Sequence, residues 1–290
     1  MKIDLHLHST GSDGVLSPSE LVEKVYSMGI DVMAITDHDT FGGYDQLGEQ
    51  KSPVRVLQGV EMSMADRKNM HLLGYGLTKD TPLHHEVARL SEARVDRARQ
   101  MLALLREKGM DLDEQELFAS CHGSVGRPHI ARMLVEKGYV HSVTEAFQRY
   151  LGDGCSCYVA GERLFLRDAL KLMRDSGFVP VMAHPRLMGL GEQALSVLLD
   201  EWQTQGLMGV EVYHPSAEAK GYTQLDHTAR RLELLVTGGS DFHQEGDHHG
   251  LPGCTNDAWI HREQDYNALL QAMEQQKTHY DCLMKGGSEV

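Results

Sequence analysis

One stretch near the amino terminus decides how the chain is interpreted: Asp4-Leu5-His6-Leu7-His8-Ser9-Thr10-Gly11-Ser12-Asp13-Gly14. Apolar and polar residues alternate through its first half, which is the period of a β-strand. Side chains two positions apart share one face of a strand, so His6 and His8 point the same way and can converge on one metal ion. The second half has the composition of a loop and carries Asp13 as a further oxygen ligand. The stretch therefore predicts a metal-binding strand end, provided that the rest of the chain supplies more ligands.

Composition narrows the class of protein. The chain has 290 residues, 41% of them hydrophobic, which suits one large α/β domain with an insertion. A net charge of −14, with no Lys/Arg-rich run, argues against a long nucleic acid as partner. The five cysteines show no regular spacing, no apolar run reaches the length of a membrane span, and no signal peptide precedes the first strand. We therefore expect a cytoplasmic protein with no membrane partner, and no feature points to a particular oligomeric state.

Predicted strands and helices alternate on either side of a helical middle. After the first strand, apolar strands are predicted at residues 31–36, 54–57, 69–75, 179–183, 208–213 and 234–237. Helices are predicted from Pro18 to Gly29 and at residues 166–176, 192–205, 217–231 and 265–276. This alternation is typical of an α/β fold built on a parallel sheet, in which functional residues gather at the carboxyl ends of the strands.

Residues 81–158 follow a different pattern. They are charged, and their apolar positions keep an approximate helical spacing. Helices are predicted at residues 81–117, 127–135 and 142–151, and no strand is predicted among them. We interpret this segment, called the lobe below, as a helical insertion that covers the active site.

Imidazole and carboxylate side chains recur at the ends of the predicted strands. They are His6, His8, Asp13, His38, Glu61, His71, His184, Asp241 and His243. Mixed histidine and carboxylate ligands suit Mn²⁺, Fe²⁺ or Zn²⁺ better than Ca²⁺, and the set contains no cysteine thiolate. The alternative is a collection of unrelated surface histidines. Their regular placement after apolar strands favours a site for several metal ions instead.

Short motifs in this order resemble those of the PHP family, named for polymerase and histidinol phosphatase. The matching motifs are His6-Leu7-His8, Thr36-Asp37-His38-Asp39, Gly59-Val60-Glu61, His71-Leu72-Leu73-Gly74, His184-Pro185 and Ser240-Asp241-Phe242-His243. The resemblance covers residues 1–79 and 166–249, and Gly126-Arg127-Pro128-His129 in the lobe resembles small bacterial phosphoesterases that act on nucleotides. It implies a distorted (β/α)₇ barrel formed by residues 1–80 and 159–290, with the lobe inserted, and a site for three divalent ions (Mn²⁺, Fe²⁺ or Zn²⁺).

The same resemblance implies which residues hold each ion. The first ion is assigned to His6, His8, Glu61 and Asp241, the second to Glu61, His71 and His184, and the third to Asp13, His38 and His243. His6, His8, Glu61, Asp241 and His243 form the catalytic centre, where a metal-bridging hydroxide attacks phosphorus. Asp13 stands where some relatives have histidine, and its carboxylate favours a harder ion. Asp4 and Asp37 are expected either to orient imidazoles from behind or to cap the backbone.

Four residues are candidates for substrate binding. Arg127 stands at the predicted start of a helix and offers a planar fork that matches two phosphate oxygens. His129 lies two positions after Arg127, and Arg186 directly follows His184-Pro185. His214 ends a strand beside the site, where it is expected either to act as a general acid or to line the pocket. For Arg127 the alternative is a surface ion pair. The pairs His84-His85 and His248-His249 are predicted to face solvent.

Together these features predict a metal-dependent phosphoesterase, a phosphoric ester hydrolase for small phosphorylated substrates, nucleotides in particular. A nucleoside 3′,5′-bisphosphate or a mononucleotide is the expected substrate, and a cyclic phosphodiester or the end of a short RNA stays open. Two other classes compete: a non-catalytic PHP module that only binds metal, and a C–N hydrolase of the amidohydrolase type. The complete ligand set disfavours the first, and the Thr36-Asp37-His38-Asp39 and Ser240-Asp241-Phe242-His243 motifs disfavour the second.

Overall fold

A seven-stranded sheet forms the centre of the protein, as given by a computed structural model that describes residues 1–48, 52–119, 121, 123–216, 219–246, 250–253 and 262–286. The strands are β1 (Ile3–Leu7), β2 (Val32–Ile35), β3 (Arg55–Ser63), β4 (His71–Gly76), β5 (Phe178–Met182), β6 (Gly209–Tyr213) and β7 (Leu235–Gly238), and they lie side by side in chain order. Beyond the end of β7, the amide of Asp241 donates to the carbonyl of His6 at 2.8 Å, and the amide of His8 donates to the carbonyl of Phe242 at 3.0 Å. These bonds join the last strand to the first, so the sheet is a nearly closed barrel and the predicted fold class is confirmed.

Strand β4 departs from the parallel arrangement that we expected. It pairs antiparallel with both β3 and β5, whereas all the other neighbours are parallel. The connection from β3 to β4 is too short for the crossover helix that a parallel pair needs, so the chain turns back as a hairpin. His71 is therefore the first residue of its strand, and Glu61 lies inside β3 rather than beyond its end. The prediction of an all-parallel sheet was wrong at this strand.

Ten α-helices are found in the described part of the chain. They are α1 (Pro18–Ser27), α2 (Gly42–Leu47), α3 (Pro82–Glu107), α4 (Glu114–Ala119), α5 (Arg127–Glu136), α6 (Val143–Ala146), α7 (Leu166–Asp175), α8 (Glu192–Gln205), α9 (Ala219–Arg231) and α10 (Glu263–Gly286). The predicted start of α1 is confirmed by a capping box, in which Ser17 accepts from the amide of Glu20 and Glu20 accepts from the amide of Ser17. Helix α2 was not predicted, and α10 runs beyond its predicted end. None of the helices within the described ranges is both long enough and apolar enough to cross a bilayer.

The lobe contains α3 to α6 and a short π-helix, Phe147–Leu151, and its described residues form no strand. It has a hydrophobic core of its own, to which Met101, Leu105 and Leu134 contribute. The first turns of α3 pack against the barrel instead, and their residues Leu83 and Val87 are part of its hydrophobic core. Helix α3 thus begins in the barrel and ends in the lobe. The division into residues 1–80 with 159–290 and residues 81–158 stays a prediction.

Candidate metal centre

Histidine nitrogens and carboxylate oxygens converge at one end of the barrel. His6 on β1 and His8 just beyond it place their Nε2 atoms 3.3 and 3.2 Å from Oε2 of Glu61. The same two nitrogens lie 3.3 and 3.1 Å from Oδ1 of Asp241. Ligand atoms that share a tetrahedral ion, each about 2.0–2.1 Å from the metal, stand roughly 3.3 Å apart. These four residues therefore have the spacing of one metal site.

Two further groups of ligand atoms adjoin this one. His38, Glu61 and His71 form the first of them, with His38 Nδ1 3.1 Å and His71 Nδ1 2.7 Å from the Glu61 carboxylate. His8, Asp13, His38 and His243 form the other, with His243 Nε2 3.3 Å from Asp13 Oδ1.

His184 approaches the centre from the side of β5. Its Nε2 lies 2.8 Å from Oε1 of Glu61, the oxygen that His71 also approaches, although His184 belongs to none of the three groups. All nine predicted ligands therefore meet in one cluster, and the assignment of each to an ion stays a prediction.

The donor atoms fit divalent ions. Buried atoms of this cluster make no hydrogen bond to any described residue, among them His6 Nε2, His8 Nε2, Asp13 Oδ1, His38 Nδ1 and Glu61 Oε2. Unsatisfied polar atoms are costly inside a protein, and a cation that joins them removes that cost. The combination of imidazole and carboxylate is also the donor set expected for Mn²⁺, Fe²⁺ or Zn²⁺.

The charges of the cluster are strongly coupled. Burial disfavours the imidazolium form of His8, but the carboxylates of Asp241 and Glu61 raise its pKa to about 10. Burial lowers the pKa of His38 to about 3. Burial opposes the charge of Glu61 as well, yet His38, His71 and His6 hold the pKa of its carboxyl well below the usual value. Some imidazoles thus carry protons beside charged carboxylates, and divalent ions would displace those protons on binding.

Glu211 on β6, which was not predicted from the sequence, holds two residues of the cluster in place. Its Oε1 lies 3.0 Å from Nδ1 of His6, and its Oε2 accepts from the backbone amide of His184 at 2.7 Å. A carboxylate on the far nitrogen of a ligating histidine fixes the ring's tautomer and orientation. Glu211 stands between Val210 and Val212 on a buried strand, and a carboxylate at such a position was a signal that could have revealed it.

Asp4 and Asp37 were expected either to orient imidazoles or to cap the backbone, and both accept hydrogen bonds from backbone amides or serine hydroxyls. Asp4 accepts from the amides of Ser240 at 3.0 Å and Gly253 at 2.6 Å, which fixes the segment that carries Asp241. Asp37 accepts from the amide and hydroxyl of Ser9 and from the hydroxyl of Ser12, which fixes the loop that carries Asp13. Both carboxylates therefore act on the ligand-bearing segments and not directly on an imidazole.

His214 lies beside the cluster, at the end of β6. Its Nδ1 accepts from the amide of Ser216 at 3.1 Å, which leaves the proton of the neutral ring on Nε2, 3.2 Å from Oδ2 of Asp241.

The backbones of His184 and Asp241 both have positive φ, at 24° and 55°. Non-glycine residues seldom adopt that region, and such strain is concentrated at functional sites.

A cavity of about 170 Å³ opens beside the cluster, between barrel and lobe. Asp13, His38 and His71 line it on the barrel side, and Arg94, Arg97, Arg127 and Arg163 line it on the other sides. Burial, together with the guanidinium groups of Arg127 and Arg94, lowers the pKa of Arg97 to about 10. Arg97 Nη2 is buried and makes no hydrogen bond to a described residue. Four guanidinium groups therefore line this cavity, two of them paired with Asp39 and Asp153, although the chain as a whole is acidic.

The predicted substrate-binding residues occupy different places. Arg127 lines the cavity, as expected for a residue that binds substrate. It also donates to Asp153 at 2.9 Å, so it forms an ion pair as the alternative interpretation predicted. His129 is buried, and its Nδ1 accepts from the amide of Gly126 at 3.1 Å. Arg186 is paired with Glu192 and donates to the carbonyl of Gly221 at 2.7 Å. The structure does not bring His129 or Arg186 to the cavity wall.

His84 does not face solvent as predicted. Its ring stacks on Phe41 with 4.2 Å between centroids, and its Nδ1 accepts from the amide of Thr81 at the start of α3. The prediction failed because a histidine at the third position of a helix can cap the helix and pack on the domain below it. His85 is exposed and paired with Asp80, and His248-His249 lies outside the described residues.

Comparisons with known proteins agree with this geometry. The family model of the PHP domain matches residues 4–159. The chain is 32% identical to a 5′-3′ exoribonuclease of Haemophilus influenzae, over 83% of this chain and 90% of that one. It is also 32% identical to a 3′,5′-nucleoside bisphosphate phosphatase of Chromobacterium violaceum, over 88% of this chain and 92% of that one. A solved structure from Bifidobacterium adolescentis, provisionally assigned as a metal-dependent phosphoesterase, superimposes with a TM-score of 0.79 at 26% identity, over 93% of this chain and 96% of that one.

Proposed function

Because this chain belongs to the PHP-domain family, we propose that it uses its metal cluster to hydrolyse nucleotides that carry two phosphate groups. Its class of activity follows from its relatives: it is a metal-dependent phosphoesterase, a phosphoric ester hydrolase. The nine residues His6, His8, Asp13, His38, Glu61, His71, His184, Asp241 and His243 are proposed as the ligands of three divalent ions, with His184 completing the site of Glu61 and His71.

One observation carries the choice of substrate: the arginine-lined cavity adjoins the metal cluster. Guanidinium groups bind phosphate through paired hydrogen bonds. The cavity volume of about 170 Å³ is below that of pockets that enclose a whole drug-sized ligand, so it suits one phosphate-bearing end of a substrate. A molecule with one phosphate at the cluster and another among the arginines would fit both places.

The chain's own residues divide the work between them. When bound, the divalent ions supply a nucleophile near neutral pH and charge for the phosphate oxygens. Glu211 holds His6 in one tautomer, and Asp37 and Asp4 hold the loops of Asp13 and Asp241. His214 Nε2, which carries a proton next to Asp241, is the proposed donor to the leaving oxygen.

Hydrolysis of a defined panel of substrates tests the proposed function, with released phosphate and nucleotide products both measured. Protein loaded with Mn²⁺ is assayed on adenosine 3′,5′-bisphosphate, AMP, cyclic AMP and a 5′-phosphorylated trinucleotide. We expect the highest kcat/KM for the bisphosphate, because it alone among the small substrates reaches both the cluster and the cavity. No hydrolysis of any substrate, with the metal shown to be bound, would contradict the proposal.

Arg127→Ala tests whether the cavity grips the second phosphate. We expect KM for the bisphosphate to rise more than kcat falls, since that contact forms equally in the ground and transition states. The loss should be about 1.5–3 kcal/mol, as for a hydrogen bond to a charged group. AMP hydrolysis should change little.

Two further variants control this experiment. Asp153→Asn releases Arg127 from its ion pair and should keep bisphosphate binding. Arg99→Ala, on the exposed face of α3 where Arg99 pairs with Glu114, should behave as wild type. Unchanged kinetics of Arg127→Ala on both substrates would mean that Arg127 serves only Asp153.

A 5′-3′ exoribonuclease is the second candidate, and the relative from Haemophilus influenzae favours it. The trinucleotide in the panel discriminates between the two functions. Mononucleotides released stepwise from it, at a kcat/KM above that for the bisphosphate, would make the end of an RNA the preferred substrate.

A further inference from the structure

The ligands proposed for the three ions differ in how the fold holds them. His6, Glu61 and His71 stand on strands of the barrel. All three ligands proposed for the third ion, Asp13, His38 and His243, lie beyond strand ends, although a β-bridge to Glu61 still ties His38 to the sheet. At the other two positions, His8, His184 and Asp241 also lie beyond strand ends, but they are combined there with ligands on strands. A loop needs contacts other than those of the sheet to fix a side chain within the tolerance of a metal site.

The lobe supplies contacts to the loop that carries Asp13. The guanidinium of Arg132 on α5 donates to the backbone carbonyl of Asp13 itself. The amide of Ser124 donates to the carbonyl of Gly11 at 2.8 Å. A Cβ placed on Gly123 would stand 2.0 Å from that same carbonyl, so the two backbones are in close contact. The Asp13 loop is therefore held between Asp37 of the barrel and the lobe.

The lobe also contacts the residue that follows His38. Arg94 on α3 pairs with the buried carboxylate of Asp39, and its Nε donates to Oδ2 at 2.9 Å. The backbone of Asp39 has a φ of 49°, in the region that favours glycine. The ion pair with Arg94 helps to hold this turn, and with it the direction of the His38 ring.

From these contacts we infer that the lobe completes the third metal position, with Arg132 and Arg94 as the positioning residues. The inference rests on the proposed function, because it takes Asp13, His38 and His243 as ligands of one ion. Ligands of the other two positions are held by barrel groups, among them Glu211 and Asp4. Docking of the lobe and occupancy of the third position are therefore linked: whatever loosens one loosens the other.

Mn²⁺ titration of the metal-stripped protein, without substrate, tests this inference. Isothermal titration calorimetry counts the sites of the wild type, and Asp13→Asn shows which of them is the third. We expect Arg132→Ala and Arg94→Ala to weaken that site by about 10–100-fold, as other outer partners of metal ligands do, and to leave the other two unchanged. Arg132→Lys keeps a donor and should recover part of the affinity.

The controls separate this inference from general damage. Arg106→Ala removes an exposed arginine of α3 that pairs with Asp111, and it should bind Mn²⁺ as the wild type does. Three sites of wild-type affinity in Arg132→Ala and Arg94→Ala would overturn the inference and leave the proposed function intact. Equal weakening of all three sites would overturn it as well, because the lobe would then support the whole centre. A wild type without an Asp13-dependent site would refute both the inference and the three-ion proposal.

Discussion

The carboxylates at the centre of the barrel and Arg127 in the lobe differ in how deeply they are buried and in how many partners they have. In the barrel, Glu61 and Glu211 are fully buried and surrounded by histidines, and each of their oxygens lies close to a named partner. In the lobe, Arg127 keeps 22% of its side chain exposed and pairs with one carboxylate at the rim of the cavity. Loss of one member of a buried network leaves its partners without a hydrogen bond or counter-charge, so the energetic effect is large. Loss of a partly exposed ion pair has a much smaller effect. The comparison predicts that substitutions in the buried network of the barrel reduce activity more than substitutions at the rim of the cavity.

The strongest test of this contrast is Asp241→Asn in the barrel. The substitution keeps the size of the side chain but removes a charge that lies close to both His6 and His8. We expect kcat/KM to fall by more than the roughly 100-fold typical of partners outside the first layer of ligands. The circular dichroism spectrum and the melting temperature should stay close to those of the wild type, because asparagine has nearly the same size and shape as aspartate.

Asp175→Asn is the matched control for that variant. Asp175 ends α7 and pairs with an exposed lysine, Lys171, away from the cluster. Its activity should equal that of the wild type. Activity of Asp241→Asn within tenfold of wild type would remove Asp241 from the centre and with it the contrast between the two regions.

A smaller effect is expected from Glu211→Gln. Glutamine keeps an acceptor for the amide of His184 but loses the charge next to His6 Nδ1. Mn²⁺ affinity or kcat/KM should fall by about 10–100-fold, in the range found for such supporting carboxylates. Mn²⁺ titration and steady-state kinetics measure the two quantities separately.

The exposed Glu201 on α8 provides the comparison for Glu211, and Glu201→Gln should leave both quantities unchanged. If Glu211→Gln lowers only the melting temperature and not the Mn²⁺ affinity, Glu211 is a structural residue of the barrel and does not orient His6.

The sequence predicted that nine imidazole and carboxylate residues would gather at one place, and the structure brings them together. Most of them lie at or just beyond strand ends, and strand ends of a barrel meet at one place. Glu211 was missed although its signal was present, since a carboxylate between two valines of a strand must face the barrel interior or the helices. The reversed direction of β4 had a signal as well, in the short connection that precedes it. Each of these features can be deduced from local spacing and strand geometry.

The arginines of the cavity could not be deduced in this way. Arg94 and Arg97 lie on a long charged helix, where the usual expectation is a solvated face. Only the docking of α3 on the barrel decides that they turn toward His38 and Asp13. Tertiary contacts of this kind depend on how two separate cores meet, which no periodic pattern within one helix records.

The smallest predicted effect lies at the joint between the two regions, where His84 caps α3. Burial is the main cause that lowers the pKa of His84, and His85 and Lys79 lower it further, while Asp45 and Asp80 oppose them. The folded protein therefore favours the neutral ring, whose Nδ1 accepts from the amide of Thr81. As pH falls through about 6.5, the unfolded chain takes up a proton before the folded one does, so this group makes the protein less stable on the acid side.

His84→Gln isolates that contribution, because glutamine at the third helical position can cap the first turn without titrating. Urea unfolding from pH 8 to pH 5 should show the wild type losing more stability than His84→Gln, while the two agree at pH 8. His84→Ala should be less stable than the wild type by about 1 kcal/mol at pH 8, the usual effect of losing a cap, and this difference should shrink toward pH 5. The same histidines of the cluster titrate in all three proteins, so their contribution cancels in the differences. Parallel stability curves for wild type and His84→Gln would show that His84 does not make this joint sensitive to pH, and the cap of α3 would then contribute equally at every pH.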